Sequence, residues 1–400
     1  MAKKKILIVV ENLPVPFDGR VWKEACSLHE NGYEVTVLCP KGKGYSKGYE
    51  LLEGVHVYRH PMSREGNSAA GYLFEYGSAL LWEFFYAWWI FLRRGFQVMQ
   101  GCNPPDNIFL VALPFKLFGV KYIFDHHDAN PELYLSKYEK EGFFYKAQVW
   151  LEKMTFRFSD VAMSTNESYK ELAVKRGGLA REDVFVVRNG PDLETFKPVP
   201  PKAELKYGKP YLVGYVGNMS IQEGLDILLE VAERIKNQGR RDVHFTCVGG
   251  GPGLPGLREM VKDKKLDDIV NFTGRIPDEQ LLDILSTADV CVNPDKPCEM
   301  NDISTMIKIM EYMALSKPIV QFDLKEGRVS AGKASLYSSN NHDQVTDFAA
   351  KLLWLLDHPE ERKEMGEFGY RRVQKELAWD YSVANLLAAY QRAFAKRGKA

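Results

Sequence analysis

A membrane-spanning segment is missing from this 400-residue sequence. Its most apolar stretch, residues 71–92, is interrupted by Glu75 and Glu83, and the uncharged run after Glu83 is nine residues long, whereas a spanning helix needs about 20. At the N-terminus, three lysines precede an apolar run of only five residues, 6–10, which is too short for the core of a signal peptide. We therefore expect no spanning helix, no leader and a cytoplasmic location.

Charge excess, paired cysteines and the common nucleotide-binding motifs are also missing. Lys and Arg number 53, as do Asp and Glu, and no basic block stands out, which argues against a nucleic-acid partner because such binding depends on phosphate neutralisation. The six cysteines form neither a CxxC pair nor a zinc-binding spacing, so we expect buried free thiols and no metal site. No GxGxxG follows the first predicted strand, and neither GxxxxGKS nor GxxxxGKT occurs, which excludes the dinucleotide fingerprint and disfavours a nucleoside triphosphatase.

Alternating strands and helices are what the sequence does contain, and they predict an α/β fold of two Rossmann-like βαβ domains. Residues 4–11 and 33–39 are strand-like apolar runs on either side of a helix with apolar spacing, which indicates a parallel sheet. The other predicted strands are 96–100, 122–125, 161–164, 184–188, 211–216, 243–248, 270–273, 290–293 and 318–322.

A change in composition marks the predicted domain boundary. Five prolines occur between positions 191 and 210, where apolar periodicity is weak, as in an interdomain linker. We predict an N-terminal domain at 1–192, a linker at 193–209 and a C-terminal domain at 210–379. A helix at about 380–400 is a candidate to pack back on the first domain.

Loops after strands are the expected place for a site. Ligands of such sheets bind at the carboxyl ends of the strands, and two tandem domains are expected to face each other across a cleft. The loops that would line the cleft are 14–20, 125–132, 188–190, 217–224, 249–252 and 294–305.

Two histidines lie between two aspartates at 125–128, directly after a predicted strand. They could bind a metal, but neighbouring side chains of an extended segment point in opposite directions, which disfavours chelation of one ion. One histidine directed into the cleft, as a hydrogen-bond or charge partner of an anionic substrate, is the interpretation we favour. Helix capping by Asp128 with buried histidines is the alternative.

A predicted helix after residue 304 offers a second candidate site. Ser304 or Thr305 is expected to cap it, and its N-terminus would present N–H groups to a phosphate. Lys308 falls in the first turn, where the helix dipole disfavours a cation unless an anion faces it, and Glu311 could accept hydrogen bonds from a ribose diol. The alternatives are a local ion pair between Lys308 and Glu311 and a simple tight turn for the glycines at 249–251.

Taken together, these segments resemble the retaining glycosyltransferases of the GT-B fold, family 4. The stretch MIKIMEYMALSKPIV (306–320) is similar to the family's donor-site signature, and DHHDANPELY (125–134) is similar to its D-x-H-D-x-x-P-E segment. The remaining matches, which spread over nearly the whole chain, are 16–40, 186–198, 213–231, 248–252 and 271–294.

The resemblance implies sugar transfer from a nucleotide-sugar donor, with retention of configuration, release of a nucleoside diphosphate, and neither a cofactor nor an essential metal. It places Glu311 on the ribose, the backbone at Ile307 and Lys308 on the diphosphate, His127 against the donor sugar and Gly19 near the phosphates. His127 and Lys308 are the candidate catalytic residues. The candidate donor-binding residues are Gly19, Arg20, Gly217, Asn218, Gly250, Ser304, Thr305, Ile307, Lys308 and Glu311.

Two departures from the family pattern concern donor binding. The family has E-x7-E, but its first glutamate falls on Ile303. Its candidate substitutes are Asn301, Asp302 and Ser304. The family's Arg and Lys after the first strand of the second domain fall on Asn218 and Glu223, so Lys308 is the natural replacement cation. Weaker candidates are Arg20, Arg188 and Arg275.

The sequence thus predicts a glycosyltransferase for a saccharide or lipid-linked acceptor, in cell-surface polysaccharide assembly. The aromatic stretch 71–92 and the lysines Lys41, Lys43 and Lys47 fit weak peripheral docking at the inner face of the cell membrane. Core burial of the same aromatic side chains is the competing interpretation. The alternative functions are a sugar-nucleotide hydrolase or epimerase and a non-catalytic glycan-binding scaffold.

Overall fold

The computed structural model describes residues 3–62, 69–340 and 343–396, except for the side chains of 69–76. Contacts divide the chain into two compact units, Met1–Asn189 with Ser382–Ala400, and Gly190–Tyr381. The strands are β1 Lys5–Val10, β2 Glu34–Pro40, β3 Tyr49–Leu52, β4 Val55–His60, β5 Val98–Cys102, β6 Lys121–His126, β7 Val161–Ser164, β8 Val184–Val186, β9 Tyr211–Val216, β10 Val243–Val248, β11 Val270–Gly274, β12 Val290–Asn293, β13 Ile319–Phe322 and β14 Ser335–Ser338. The α-helices are α1 Gly19–Glu30, α2 Ala69–Arg93, α3 Phe109–Lys116, α4 Asn130–Tyr138, α5 Phe143–Phe158, α6 Glu167–Lys175, α7 Leu225–Asn237, α8 Leu254–Asp263, α9 Asp278–Thr287, α10 Glu299–Ile303, α11 Ile307–Ala314, α12 Lys325–Ala331, α13 Gln344–Asp357, α14 Pro359–Arg372 and α15 Trp379–Ala395.

The first unit is built on an eight-stranded sheet in the order β3-β4-β2-β1-β5-β6-β7-β8. Its strand β1 is an unbroken, buried apolar run after Lys5, as a parallel strand covered on both faces requires. The sequence reading missed the antiparallel hairpin of β3 and β4 at one edge. Glu53 and Gly54 form its two-residue turn with φ values of 46° and 82°, and such a turn needs positive φ at both positions. Glutamate is an uncommon residue there, which hid the signal.

The second unit contains a parallel six-stranded sheet in the order β11-β10-β9-β12-β13-β14. The predicted strands at 211–216, 243–248 and 290–293 coincide with β9, β10 and β12. Apolar clusters that include residues of α7, α13 and α11 pack on the sheet. Strand β14 was missed because it is four residues long and has serine at both ends. Mixed α/β architecture with two parallel-sheet domains is therefore confirmed.

The predicted linker, 193–209, belongs to the second unit. Its backbone is tied down, since Val199 N donates to Ser286 Oγ at 3.2 Å and Lys202 N donates to Thr287 Oγ1 at 2.9 Å. From Ser382 onward, the last helix, α15, belongs to the first unit. There, Asn385 Nδ2 donates to the Val186 carbonyl at 2.8 Å.

Helix α2 covers the aromatic stretch 71–92. Core burial and peripheral membrane docking were the competing interpretations of this stretch. One set of its side chains is buried, namely Ala79, Glu83, Ala87 and Ile90. Another set is exposed, namely Leu81, Trp82, Phe85, Trp89 and Leu92. The side chains of 71–76, including Glu75, lie outside the described residues. Core burial therefore applies to one face of α2, and docking of the exposed face at a membrane stays a prediction.

Among the helices that the structure describes, none has the length and apolar character needed to cross a membrane.

Candidate active site

The start of α1 positions two of the predicted residues in the first unit. Asp18 caps the helix, because its carboxylate accepts from the backbone N–H groups of Arg20 and Val21, both at 3.1 Å. Gly19 is exposed, and no atom of the described residues lies within 4 Å of the position that a Cβ would occupy there. A ligand could therefore approach this backbone closely.

Arg20 points inward rather than toward a donor. Its side chain is buried and donates to both oxygens of Asp125, at 2.7 and 3.0 Å, and to the carbonyl of Val187 at 2.9 Å. The same guanidinium lies 3.1 Å from Glu24. These contacts correct the expectation that Arg20 contacts the donor: its bonds hold Asp125 and Glu24.

His127 lies just beyond the carboxyl end of β6 and is partly exposed. Its Nδ1 is 3.1 Å from Asp125 Oδ2. Burial opposes a charge on this ring, but the Asp125 carboxylate outweighs burial and raises the pKa of His127 to about 9. The imidazole is therefore protonated at neutral pH and can face an anion or donate to a sugar hydroxyl.

The neighbouring His126 points the other way, as expected for an extended segment. Its ring is fully buried against Phe156 and Tyr169, and Nε2 lies 3.3 Å from Glu152. One histidine therefore belongs to the core and the other is accessible, and the two do not converge on one ion.

Two further residues shape this site, and sequence reasoning did not single them out. Asn103 Oδ1 accepts from the backbone N–H groups of His127 and Asp128, at 2.9 and 3.1 Å, which fixes the loop. Glu24 is fully buried beside Arg20. The i, i+4 spacing of Arg20 and Glu24 was a signal that could have been used.

Among the described residues, Glu24, Cys102 and Asp125 bring possible metal-ligand atoms within 4.8 Å of one another. Arg20 forms ion pairs with both carboxylates of this group. A guanidinium in contact with both carboxylates repels a second cation, so the geometry favours an ion-pair network over a metal site.

In the second unit, α11 begins later than predicted. Its N-cap is Met306, and among the described side chains none caps the helix with a hydrogen bond. Capping by Ser304 or Thr305 is therefore corrected: both residues precede the helix and are partly exposed. Ile307 is exposed and Glu311 is partly exposed. A helix start without a side-chain cap suits an anion, because the first-turn N–H groups need an acceptor.

Lys308 is buried and its ammonium is paired with residues from two other loops. Nζ lies 2.5 Å from Glu223 and 2.9 Å from Asp295, and it stands over the ring of Tyr215 at 4.9 Å. Burial disfavours a charge on the ammonium, but the two carboxylates outweigh burial and raise the pKa of Lys308. The partners of this ion pair are thus Glu223 and Asp295.

The two carboxylates beside Lys308 differ in charge. Burial raises the pKa of Asp295 to about 7, with Lys308 opposing and Glu223 adding to the shift. Burial acts on Glu223 as well, but Lys308 outweighs it and lowers the pKa of Glu223. Near pH 7 the charges of Lys308 and Glu223 cancel and Asp295 is partly ionised, so the positive charge of Lys308 is fully compensated.

The glycine-rich loop after β10 packs on the loop after β9. Gly249 has a φ of 129°, and a Cβ there would lie 2.0 Å from the Gly217 carbonyl oxygen. A Cβ on Gly251 would lie 2.4 Å from Asn218 Oδ1. These two glycines are therefore required by loop packing, which supports the tight-turn interpretation for them. Gly250 has more room, since no atom of the described residues lies within 4 Å of the position that a Cβ would occupy there.

The candidate substitutes for the missing first glutamate are placed differently. Asn301 is buried and donates to the carbonyls of Gln222 and Lys296, at 3.0 and 2.8 Å. Asp302 accepts from the backbone N–H of Lys325 at 2.8 Å. These bonds serve the fold. Ser304 is partly exposed, and which of the three replaces the glutamate stays a prediction.

Comparisons with known proteins match both units. The family model described as Glycosyltransferase Family 4 matches residues 20–195, and the one described as Glycosyl transferases group 1 matches residues 210–358.

Curated relatives match over part of their length. A glycosyltransferase assigned to colanic acid biosynthesis, WcaL of Escherichia coli strain K12, is 27% identical over 41% of this chain and 40% of that protein. The alpha-D-kanosaminyltransferase of Streptomyces kanamyceticus is 27% identical over 39% of each chain. The chain thus spans about 40% of the length of these two relatives.

Solved structures match over nearly the whole chain. Sucrose-phosphate synthase from Thermosynechococcus elongatus has a TM-score of 0.80 at 17% identity and covers 98% of this chain and 100% of its own. Anabaena HepE, solved in complex with UDP-glucose, has a TM-score of 0.73 at 13% identity, with 97% and 99% covered. At such identities the likeness shows a common fold.

Proposed function

This chain belongs to the group 1, family 4 glycosyltransferases of the GT-B fold, and from that premise we propose that it transfers a sugar from a nucleotide-sugar donor to a glycan or lipid-linked acceptor. The configuration at the sugar is retained, and the product serves cell-surface polysaccharide assembly. The bond between the anomeric carbon and the diphosphate breaks, the acceptor oxygen bonds to that carbon, and the acceptor proton passes to the leaving diphosphate.

The observation that carries this proposal is the exchange of charge between positions 223 and 308. The family pattern has a cation where this chain has Glu223, and here the Lys308 ammonium lies 2.5 Å from the Glu223 carboxylate. Lys308 thus brings a cation to the place where the family supplies one. A donor diphosphate would compete with the two carboxylates for that ammonium.

As part of the same proposal, we assign the remaining donor contacts to residues near the start of α11 and to two glycines. The start of α11 has no side-chain cap, so its N–H groups can bind the diphosphate near Ile307 and Lys308. Glu311, one turn further, accepts hydrogen bonds from the ribose, and the candidates for the place of the missing glutamate are Asn301, Asp302 and Ser304. Gly19 and Gly250 leave room for the phosphates.

His127 is assigned to the donor sugar. The ring is positively charged at neutral pH because of Asp125, so it can donate to a sugar hydroxyl and stabilise negative charge that develops as the diphosphate leaves. We further propose that no essential metal is needed, since a diphosphate can bind the first-turn N–H groups of α11 and compete with Glu223 and Asp295 for the Lys308 ammonium.

A lipid-linked acceptor is proposed from the exposed face of α2. A groove of about 620 Å³ runs beside it, lined by Gly48, Tyr49, Tyr58, Phe85, Tyr86 and Trp89. Exposed tryptophans suit the headgroup region of a membrane, and the exposed Lys43 and Lys47 can attract anionic lipid. Lys41 is only partly exposed. This face supports reversible docking at the inner surface of the cell membrane.

Nucleotide release tests the proposed reaction. The protein is incubated with a panel of uridine, guanosine and other nucleoside diphosphate sugars, with and without lipid-linked saccharide acceptors, in the presence of a chelator. We expect one donor to release its nucleoside diphosphate only when an acceptor is added, and a product with the donor's anomeric configuration by NMR. Equal release without acceptor would indicate a hydrolase instead, and the absence of release with every donor would indicate a binding scaffold.

A further inference from the structure

A continuous chain of buried side chains in the first unit connects the last helix to His127. The Tyr390 hydroxyl of α15 donates to Gln100 Oε1, and Gln100 Nε2 donates to Glu24 Oε2 at 2.7 Å. All three side chains are fully buried. A buried polar chain is costly unless its members bond to one another, so this arrangement is a feature that the fold maintains.

From Glu24 the chain continues through two charged residues. The Arg20 guanidinium lies 3.1 Å from Glu24 and donates to Asp125, which contacts His127 Nδ1 at 3.1 Å. One guanidinium is thus shared between two carboxylates, and the second of these carboxylates holds the imidazole. A change in the charge of Glu24 alters what Arg20 and Asp125 can offer to His127.

We propose that Glu24 is a positioning residue for His127, held by Gln100 and Tyr390, and that its charge sets the protonation of the imidazole through Arg20 and Asp125. The proposal rests on the proposed function only for what His127 does in transfer. The arrangement of the charges rests on the described contacts alone.

The surrounding groups make Glu24 able to change charge near neutral pH. Burial raises the pKa of Glu24, Asp125 raises it further, and Arg20 lowers it, with a result of about 7. Burial also raises the pKa of the nearby Cys102 thiol and Tyr390 hydroxyl, so both stay neutral.

His127 is faced by Asp125, Asp128 and Arg20. With Glu24 ionised, Glu24 and Asp125 together balance Arg20 and the imidazolium. With Glu24 neutral, the same four groups carry one net positive charge, which disfavours a proton on His127. Protonation of Glu24 should therefore lower the pKa of His127.

The test is an NMR titration of the histidine rings in the full chain without donor. In Glu24→Gln, which lacks the charge at every pH, we expect the pKa of His127 to fall by about 0.5–1 unit. The resonance is assigned with His127→Asn. Because no sugar transfer is needed, this result stands apart from the proposed function. If transfer is also observed, the alkaline limb of its pH profile should move in the same direction.

Glu152→Gln is the matched control. Glu152 is also a fully buried glutamate of the first unit, but it pairs with His126 and Arg176, so its loss should leave the titration of His127 unchanged. Tyr390→Phe provides a second variant should Glu24→Gln fold poorly. Without the hydroxyl, the Gln100 amide can turn its oxygen toward Glu24 and favour the neutral acid, which gives a smaller shift in the same direction. Wild-type titration of His127 in both folded variants overturns the proposal.

Discussion

At the scale of single residues, this chain has Asn218 and Glu223 where its family has two cations, and it has a lysine at 308. Lys308 stands in the first turn of α11, where a lysine is unfavourable on its own. It is stabilised by Glu223, which lies in the connection after β9, and by Asp295, which follows β12. The electrostatics of the proposed donor site therefore depend on three residues together, and changing one of them alters the other two.

A charge-exchange experiment tests this dependence. We expect Lys308→Val alone to reduce the transfer rate about 10²–10³-fold, the range for loss of one electrostatic contact to a developing charge. It should also lower thermal stability, because two carboxylates then lose their buried counter-ion. Adding Glu223→Lys puts a cation at a position where the family has one and should recover most of the rate.

Steady-state kinetics of both variants, with thermal melts to confirm folding, provide the measurement. A double variant that folds but stays as slow as the single variant would contradict a role for the ammonium in diphosphate binding. Normal turnover of folded Lys308→Val would do so as well.

Glu311 carries a prediction about binding rather than rate. Loss of a charge-assisted hydrogen bond costs about 1.5–3 kcal/mol, so Glu311→Ala should bind nucleoside diphosphate and intact donor about 10–100-fold more weakly. The two losses should be equal because both ligands carry the same ribose. Titration calorimetry measures them, with the exposed Glu279→Ala as control. Unchanged affinity for both ligands would remove Glu311 from the ribose.

The sequence located these residues better than it located their partners. Local patterns placed Lys308 and Glu311 on one helix and His127 just after a strand, because strand and helix periods are short-range signals. The contacts of Lys308 with Glu223 and of Gln100 with Glu24 join residues 85 and 76 positions apart. Such pairs depend on tertiary packing, so a single sequence predicts the position of a charge but not its counter-ion.

At the scale of secondary-structure elements, α2 shows how one aromatic stretch can serve two purposes. Trp88 lies at a partly buried position where its ring packs on Phe115 at 4.6 Å between centroids, whereas Trp82 and Trp89 are exposed. Composition alone could not separate these faces. The helical period assigns residues to one face or another, but which face meets the sheet is decided by packing.

Liposome flotation tests the exposed face of α2. We expect the protein to bind anionic liposomes at low salt and to be released at high salt, because lysine attraction to anionic lipid is screened. Trp82→Ser with Trp89→Ser should reduce binding severalfold at low salt. Trp354→Ser is the matched control, since Trp354 and Trp82 are both 42% exposed and Trp354 lies in the second unit. Equal binding by the wild type and the Trp82/Trp89 variant would contradict docking through this face.

At the scale of the whole molecule, the chain does not simply form one unit after the other. The first unit consists of residues 1–189 and the residues from 382 onward, and the second unit, 190–381, lies between these two parts in the sequence. Periodicity predicted two βαβ domains and a final helix because each strand and helix has its own pattern. The tied-down segment 193–209 was harder to predict, since its prolines suggest a free linker while its N–H groups bond to Ser286 and Thr287.

The placement of α15 predicts which part of the molecule a core mutation in it will weaken. Leu386 on α15 is fully buried in the first unit, and Leu352 on α13 is fully buried in the core of the second. Replacing a buried leucine by alanine costs about 2–5 kcal/mol. In scanning calorimetry we expect Leu386→Ala to lower one unfolding transition by several degrees and Leu352→Ala to lower the other. Nucleoside diphosphate, the proposed ligand of the second unit, should raise the transition of that unit, because a ligand stabilises the unit that binds it. The same transition shifted by both variants would show that α15 stabilises the two units as one cooperative body.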